Sequence, residues 1–209
     1  MRLLLGTRNP GKQREIAAVL QVLAAGRGVT LEVVTPGEAG IHDDIEESGA
    51  SFEENSRDKA RAYFRRSGLP TVADDGGLEI HLLGGEPGVR SRRWPGQAAD
   101  DDTLIRHALE RLAEHPAPED RGARLRTCVT YLDDTVEGQE CAAVEGTIAI
   151  EASPRRVAGY PYRALFVVKS IGKYYDELTA DEHAAVNHRA RALRRLFETV
   201  IATRALEAR

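Results

Sequence analysis

The sequence lacks an excess of positive charge, a long apolar run, internal repeats and long linkers. Its 209 residues carry a formal net charge of −4, so nothing indicates a broad basic surface for nucleic acid. Residues 1–6 turn polar too early for a signal peptide or a membrane span. We therefore expect a cytoplasmic protein with no nucleic-acid partner and no membrane partner.

Cysteine is scarce, because Cys128 and Cys141 are the only two in the chain. Both fall in segments that resemble strands, so we expect them on neighbouring strands as buried thiols. Disulfides are uncommon in cytoplasmic proteins, which makes a disulfide the less favoured alternative.

Hydrophobic residues make up 42% of the chain and charged residues 30%. This length supports one sizeable core, which one or two lobes would share. Strand-like and helix-like segments alternate along the sequence, which predicts an α/β protein. We expect one domain covering residues 1–209.

The most informative stretch surrounds Asp74 and Asp75. The apolar residues 69–73 predict a short buried strand that ends at these two carboxylates and a Gly-Gly turn. Acid oxygens suit Mg²⁺, and glycine lets backbone amides approach a phosphate closely. The alternative is that Asp-Asp-Gly-Gly is only a turn.

A second candidate site lies near the N-terminus. Residues 2–5 predict a strand, and a helical pattern follows Lys12. Helix amides and an ammonium at this position favour a phosphate site, although a plain turn with a solvated lysine is the alternative. Gly6 to Lys12 fits the first seven positions of the P-loop, but Gln13 stands where the P-loop has a metal-binding hydroxyl. A P-loop kinase or ATPase is therefore disfavoured.

Capping signals place the other helices. Ser51 begins a helix that Gly68 ends, and Thr179 begins the last long helix. The polar residues of the Ser51 helix, Lys59 among them, have a solvated face as the alternative to a functional role. Another amphipathic helix starts near residue 102. Further strands are expected at residues 31–35, 124–132, 140–150 and 162–168.

Taken in order, these motifs resemble the inosine/xanthosine triphosphate pyrophosphatases, which act on non-standard purine nucleotides. The resemblance spans nearly the whole chain. It rests on five stretches: Thr7-Arg8-Asn9-Pro10-Gly11-Lys12, Glu46-Glu47-Ser48-Gly49 with the helix after it, Gly68 to Leu78, Leu83-Gly84-Gly85-Glu86-Pro87-Gly88, and Glu177-Leu178-Thr179 with Asn187-His188-Arg189.

The resemblance implies an α/β fold with an elongated mixed sheet, flanking helices and two lobes around a central cleft. It also implies a homodimer. The implied reaction converts a nucleoside triphosphate and water to a nucleoside monophosphate and pyrophosphate with Mg²⁺ as cofactor. ITP, XTP and dITP are the implied substrates.

The same resemblance implies roles for individual residues. Glu47, Asp74 and Asp75 would hold Mg²⁺, and Asp75 would act as the base in catalysis together with Lys12. The residues expected on the phosphates are Thr7, Arg8, Asn9, Gly11, Lys12, Lys59, Gly76 and Lys173. The residues expected around the base are Tyr160, Tyr162, Arg163, His188 and Arg189, with Arg189 donating to a 6-oxo group.

Three positions depart from the family pattern. Arg8 replaces a glycine, Gly76 replaces a serine, and Arg163 replaces an aspartate in the base-recognition loop. Arg8 could add a phosphate contact or crowd its loop. Arg163 turns an acceptor into a cationic donor, which predicts altered base specificity, unless its side chain turns to solvent. A nucleotide-binding protein without turnover is a further alternative.

Overall fold

The computed structural model describes the backbone of residues 1–207 and the side chains of residues 1–201. The strands are β1 (Arg2–Leu5), β2 (Glu32–Val34), β3 (Thr71–Ile80), β4 (Gly122–Leu132), β5 (Glu137–Ile148) and β6 (Phe166–Val168). The helices are α1 (Pro10–Ala25), α2 (Phe52–Ser67), α3 (Asp101–Arg111), α4 (Ala180–Val186) and α5 (His188–Glu207).

The six strands form one sheet in the order β2-β1-β3-β4-β5-β6. β1 pairs in parallel with β2 and β3, with Leu4 opposite both Val34 and Thr71. β5 and β6 run antiparallel, with Ile148 opposite Phe166. The predicted α/β fold with a mixed sheet and flanking helices is therefore confirmed.

The chain divides into two compact units. The first contains residues 1–75, residues 127–142 and the segment from residue 189 onward, and the second contains residues 76–126 and 143–188. The extent of a single domain, residues 1–209, stays a prediction. Within residues 1–207, none of the helices has the length and apolar character that a membrane crossing needs.

The first unit is built around the side chains of β1, α1 and α5. Asn9 caps α1 and Pro10 occupies its first turn, where the missing amide hydrogen costs nothing. The main core cluster of this unit is formed by Leu3, Leu5, Ile16, Leu20, Val72, Val129, Tyr131, Val136, Ala192, Leu193, Leu196 and Val200.

The second unit packs α3 against the far half of β3 and against β6. Asp100 caps α3 through the backbone amide of Thr103, and the helix begins at Asp101, close to the predicted start. Leu104 and Ala108 on its inner face are buried with Leu78 and Phe166. This apolar core positions the loops that carry the predicted base-recognition residues.

The prediction of a glycine turn after the acid pair is wrong. β3 continues through Asp74, Asp75 and both glycines to Ile80. The strand persists because Leu78 and Ile80 are fully buried. A Cβ atom at Gly77 would lie 2.0 Å from the Ser91 Oγ, so this glycine serves close packing and not a turn.

Two predictions about the C-terminal third are also wrong. The capping box of Thr179 is present, but it opens the short helix α4, and Asn187 leaves the helical conformation before α5 begins. Residues 162–168 do not form one strand, since Pro161–Ala164 is a 3-10 turn and only Phe166–Val168 is extended. Pro161 starts that turn because its fixed φ suits a helical first position.

The prediction of two buried thiols is wrong as well. Cys128 on β4 and Cys141 on β5 do lie on neighbouring strands, but they form a disulfide with a Cα–Cα distance of 4.0 Å. The sheet brings two residues that are 13 positions apart in sequence into contact. The scarcity of cysteine and the expected cytoplasmic location favoured thiols, whereas the adjacency of β4 and β5 places the two side chains next to each other.

Candidate active site

The site is organised by Asp74 and Asp75 in the middle of β3, within the first unit. Neighbouring side chains on a strand point to opposite faces, so each carboxylate meets a different set of partners. Asp74 is fully buried and Asp75 is only 6% exposed. Two acids so far from solvent require cations or a metal beside them.

Asp74 lies between two cations. Its Oδ2 is 3.0 Å from the Lys12 Nζ and 3.1 Å from the Arg189 Nε, while the Arg189 Nη1 is 2.7 Å from Glu15. Burial alone would raise the pKa of Asp74, but Lys12, Arg189 and Lys59 together hold it well below its ordinary value. Asp74 is therefore a carboxylate at neutral pH.

Asp75 is held from α2. The Lys59 Nζ lies 3.1 Å from the Asp75 Oδ1 and 2.9 Å from Glu47, and Asn55 donates to the Asp75 Oδ2 at 3.1 Å. Burial disfavours the ammonium of Lys59, yet Asp75, Glu47 and Asp74 outweigh this and raise its pKa. Asn55 and Lys59 are one helical turn apart and face inward, so the solvated-face alternative is wrong for both.

Side chains of the predicted phosphate loop form hydrogen bonds with the loop's own backbone. The Asn9 side chain accepts from the amides of Gly11 and Lys12, and Gln13 donates to the Thr7 carbonyl at 2.9 Å. Two of the amides at the start of α1 are thus already satisfied. The cation that this loop adds to the site is Lys12, whose side chain is 15% exposed.

Arg8, the first departure from the family pattern, points toward residues 42–47, which we call the acidic segment. Its guanidinium donates to the His42 carbonyl at 2.9 Å and to the Asp44 carboxylate at 2.5 Å. It neither crowds the helix start nor disturbs the Asn9 cap. The contact joins the Thr7–Lys12 loop to the segment that leads to Glu47.

The donor set fits a divalent cation that prefers oxygen. Glu47, Asp74 and Asp75 all supply carboxylates, the ligands that Mg²⁺ takes. The Asp74 Oδ1 is buried and has no hydrogen-bond partner among the residues whose side chains the structure describes. Such an oxygen is costly to bury unless a ligand completes it, so the chemistry of these side chains fits a metal ion. The oxygens of Glu47, Asp74 and Asp75 do not all lie within 4.8 Å of one another, so binding one ion at all three requires these side chains to move together.

The predicted base-recognition residues lie mainly in the second unit. Arg163 is buried, and its Cζ lies 3.7 Å from the ring centre of Tyr160 and 4.8 Å from that of Tyr175. The alternative that Arg163 turns to solvent is therefore wrong. His188 is also buried and meets the Tyr175 ring edge-on at 6.3 Å.

Three other predicted residues have partners of their own. Tyr162 is buried and donates from its hydroxyl to the Ser91 carbonyl at 2.6 Å, and burial raises its pKa. Lys173 forms a half-exposed ion pair with Glu182 at 2.6 Å. Arg189 lies with Asp74 in the first unit, and its role in base recognition stays a prediction.

The sequence analysis missed several site residues. Glu15 and Asn55 could have been found, because they lie three and four positions from Lys12 and Lys59 on the same helix. Thr127, which donates to the Asp75 carbonyl at 3.1 Å, has no sequence signal. It reaches the acid pair only because β4 is the neighbour of β3 in the sheet.

Comparison with known proteins gives one consistent result. The sequence profile of the Ham1 family matches residues 3–199. A dITP/XTP pyrophosphatase of Thermus thermophilus is 41% identical over 95% of this chain and 91% of its own, and one of Bacillus subtilis is 37% identical over 92% and 93%. The solved structure of a HAM1 protein from Coxiella burnetii is 31% identical, with a TM-score of 0.81 over 97% of this chain and 99% of its own.

Proposed function

This chain belongs to the Ham1 family, and from that premise we propose that it hydrolyses a nucleoside triphosphate to a nucleoside monophosphate and pyrophosphate. The relatives are named for dITP and XTP, which supports these two nucleotides, together with ITP, as substrates. The observation that carries the proposal is the buried acid pair, Asp74 and Asp75, with Lys12 and Lys59 against it.

Asp75 acts as the general base in this proposal. It takes a proton from water while the water oxygen bonds to the α-phosphorus, and the bond from that phosphorus to the bridging oxygen of pyrophosphate breaks. Lys59 and Asn55 each engage one oxygen of Asp75, so the orientation of the carboxylate is set before substrate arrives. Such positioning lowers the barrier for proton transfer.

Lys12 and Lys59 supply positive charge for the negative charge that builds up on the leaving pyrophosphate. Both ammonium groups are largely buried, and electrostatic stabilisation is stronger where water is excluded. Thr7, Asn9 and Gly11 keep the Lys12 loop in shape, and Gly76, Arg8 and Lys173 complete the proposed phosphate contacts.

Glu47, Asp74 and Asp75 would hold Mg²⁺. The bound ion would neutralise charge on the triphosphate and on the pyrophosphate that leaves. The Asp74 Oδ1, which has no hydrogen-bond partner within the described part of the chain, and the all-carboxylate donor set support this assignment.

Tyr160, Tyr162, Arg163, His188 and Arg189 form the proposed base-recognition set. Arg163 stacks on Tyr160, which supports a base specificity in this protein that differs from the family's usual one. We also propose, from the family resemblance, that the protein acts as a homodimer in the cytoplasm.

A pyrophosphate-release assay tests the proposal. The purified protein would be given Mg²⁺ and a panel of standard and non-standard nucleoside triphosphates. We expect turnover of dITP, ITP or XTP that Asp75→Asn removes and that Asp134→Asn, at an exposed turn position, preserves. Release of orthophosphate in place of pyrophosphate, or nucleotide binding with no product, would contradict it.

A further inference from the structure

A buried guanidinium lies over two aromatic rings in the second unit. Arg163 is 9% exposed, and its Cζ is 3.7 Å from the Tyr160 ring centre and 4.8 Å from the Tyr175 ring centre. We call these three residues the Arg163 stack. Aromatic rings contact the faces of a guanidinium, so its N–H donors point outward in the plane of the group.

One buried carboxylate, that of Asp176, lies within the influence of three guanidinium groups at the Arg163 stack. Asp176 is buried beside it and accepts a hydrogen bond from the Val157 amide at 3.2 Å. Burial raises the pKa of Asp176 to about 6, against the opposing influence of Arg163, Arg155 and Arg156. Three guanidinium groups therefore act on one carboxylate, and Arg155 and Arg156 are exposed on the adjoining loop.

The stack also restricts the geometry of recognition. Tyr175 is held in place by edge-on contacts with Phe166 and His183, so the ring that backs Arg163 is packed into the core of its unit. A planar guanidinium held in this way recognises two adjacent acceptors, as it does in a carboxylate. Lysine, with a single rotating ammonium, would not reproduce that preference.

We propose that Arg163 makes this protein selective for 2-oxopurine nucleotides of the xanthine type over hypoxanthine nucleotides. The inference rests on the proposed function, which places the base near the Tyr160–Arg163 loop. The base of a xanthine nucleotide carries an oxygen at C2, and at mildly alkaline pH it is an anion that has lost its N3 proton, so that N3 and O2 share the negative charge. Hypoxanthine has only a C–H group at C2, so it lacks this anionic N3 and O2 pair, although both bases carry the neutral acceptors O6 and N7.

Asp176 opposes this selectivity by placing a negative charge beside Arg163. Its replacement by asparagine would retain the shape and the acceptor for the Val157 amide but remove the charge. The preference for the anionic base should then increase. Asp176 is a positioning residue in this scheme, since it acts through Arg163.

Binding of the two monophosphates, XMP and IMP, tests the inference without requiring turnover. Isothermal titration calorimetry of the full chain, at mildly alkaline pH with Mg²⁺, would give the ratio of the two affinities. We expect XMP to bind about tenfold more tightly, since charge-assisted hydrogen bonds are the stronger kind. Arg163→Met should abolish the preference, Asp176→Asn should increase it, and Arg163→Lys should give an intermediate ratio.

The matched control is Arg106→Met, which removes an exposed arginine of the same unit whose side chain donates to Thr103. This control should keep the wild-type ratio. Thermal unfolding would verify that each variant is folded. If Arg163→Met does not fold, the ratios of Arg163→Lys and Asp176→Asn decide the matter, and wild-type ratios in both overturn the inference.

Pyrophosphate release from XTP and ITP by the same preparations tests the proposed pyrophosphatase activity separately from the selectivity assigned to Arg163. Suppose that both nucleotides are turned over and that Arg163→Met leaves the preference for XTP unchanged. This result overturns the role of Arg163 and leaves the proposed function standing. Absence of pyrophosphate overturns the proposed function, while the XMP and IMP affinities still decide whether Arg163 selects the base.

Discussion

The ammonium nitrogen of Lys59 lies 3.1 Å from the Oδ1 of Asp75 and 2.9 Å from the Oε1 of Glu47. The side chains of Lys59 and Asp75 are 8% and 9% exposed. Their ion pair is therefore shielded from the solvent that weakens most surface pairs. Lys59 links a residue of β3 to the acidic segment, so the position of Glu47 depends on a helix that follows it in sequence.

Replacing Lys59 by methionine should leave Asp75 buried without its cation. We expect the free energy of unfolding to fall by about 3 kcal/mol, as for other broken buried pairs. Pyrophosphate release should fall by about a hundredfold or more. The control is Arg61→Met on the same helix, which breaks a half-exposed pair with Glu137 and should change the stability by less than about 1 kcal/mol. Equal stability of the two variants in urea would contradict the prediction.

Gly77→Ala should destabilise the second unit, because its Cβ would lie 2.0 Å from the Ser91 Oγ. Overpacking of this kind costs about 1–3 kcal/mol. Gly37→Ala is the matched control, since no atom of the described residues lies within 4 Å of the added Cβ. Adding Ser91→Ala to Gly77→Ala should restore part of the lost free energy of unfolding, as measured by chemical denaturation. If the Gly77→Ala and Gly37→Ala proteins are equally stable, the Ser91 side chain can move away from the added Cβ at no cost, and the prediction is wrong.

Reduction of the Cys128–Cys141 disulfide should lower the stability. The bond closes a short loop, with the cysteines 13 residues apart, and a loop of that size corresponds to about 3 kcal/mol in the chain-entropy account. The measurement is urea unfolding of the wild type with and without reductant. Cys141→Ser should be insensitive to reductant, and an equal response in both proteins would contradict the prediction.

Asp176 should make stability depend on pH in the acidic range. Burial raises its pKa from 3.8 to about 6, so the folded protein binds its proton more tightly than the unfolded chain does. This contribution is fully present below pH 3.8 and is lost as the pH rises through about 6. Asp176→Asn should remove this contribution. The difference in free energy of unfolding between the variant and the wild type should therefore change between pH 3.8 and about 6. Asp134→Asn, an exposed site, should follow the wild type throughout.

The helices were the most predictable elements. Ser51 and Thr179 cap helices as predicted, and Gly68 ends α2 in the left-handed conformation that glycine favours. These features depend on residues within a few positions of one another. The break at Asn187 was not predictable, because apolar residues on both sides of it continue the same pattern.

The candidate site was predictable as a set of residues but not as a set of contacts. The sequence indicates Asp74, Asp75, Lys12 and Lys59, and these four form two ion pairs at adjacent positions of β3, Lys12 with Asp74 and Lys59 with Asp75. Arg189 contacts Asp74 and Glu15, two contacts that the sequence did not predict, and its role at the base stays a prediction. Nothing local to residue 189 indicates a partner 115 positions away.

The sequence by itself determined the α/β class, the helix boundaries marked by caps, and the acids and lysines that suit phosphate and metal. These follow from local propensity and from the chemistry of side chains. Only the tertiary structure decided that β3 runs through Asp75 to Ile80, that Cys128 meets Cys141, and that Arg163 lies over the rings of Tyr160 and Tyr175. Each of these depends on how separate elements pack against one another, and this packing outweighs the turn, solvent or thiol preference of the isolated residues.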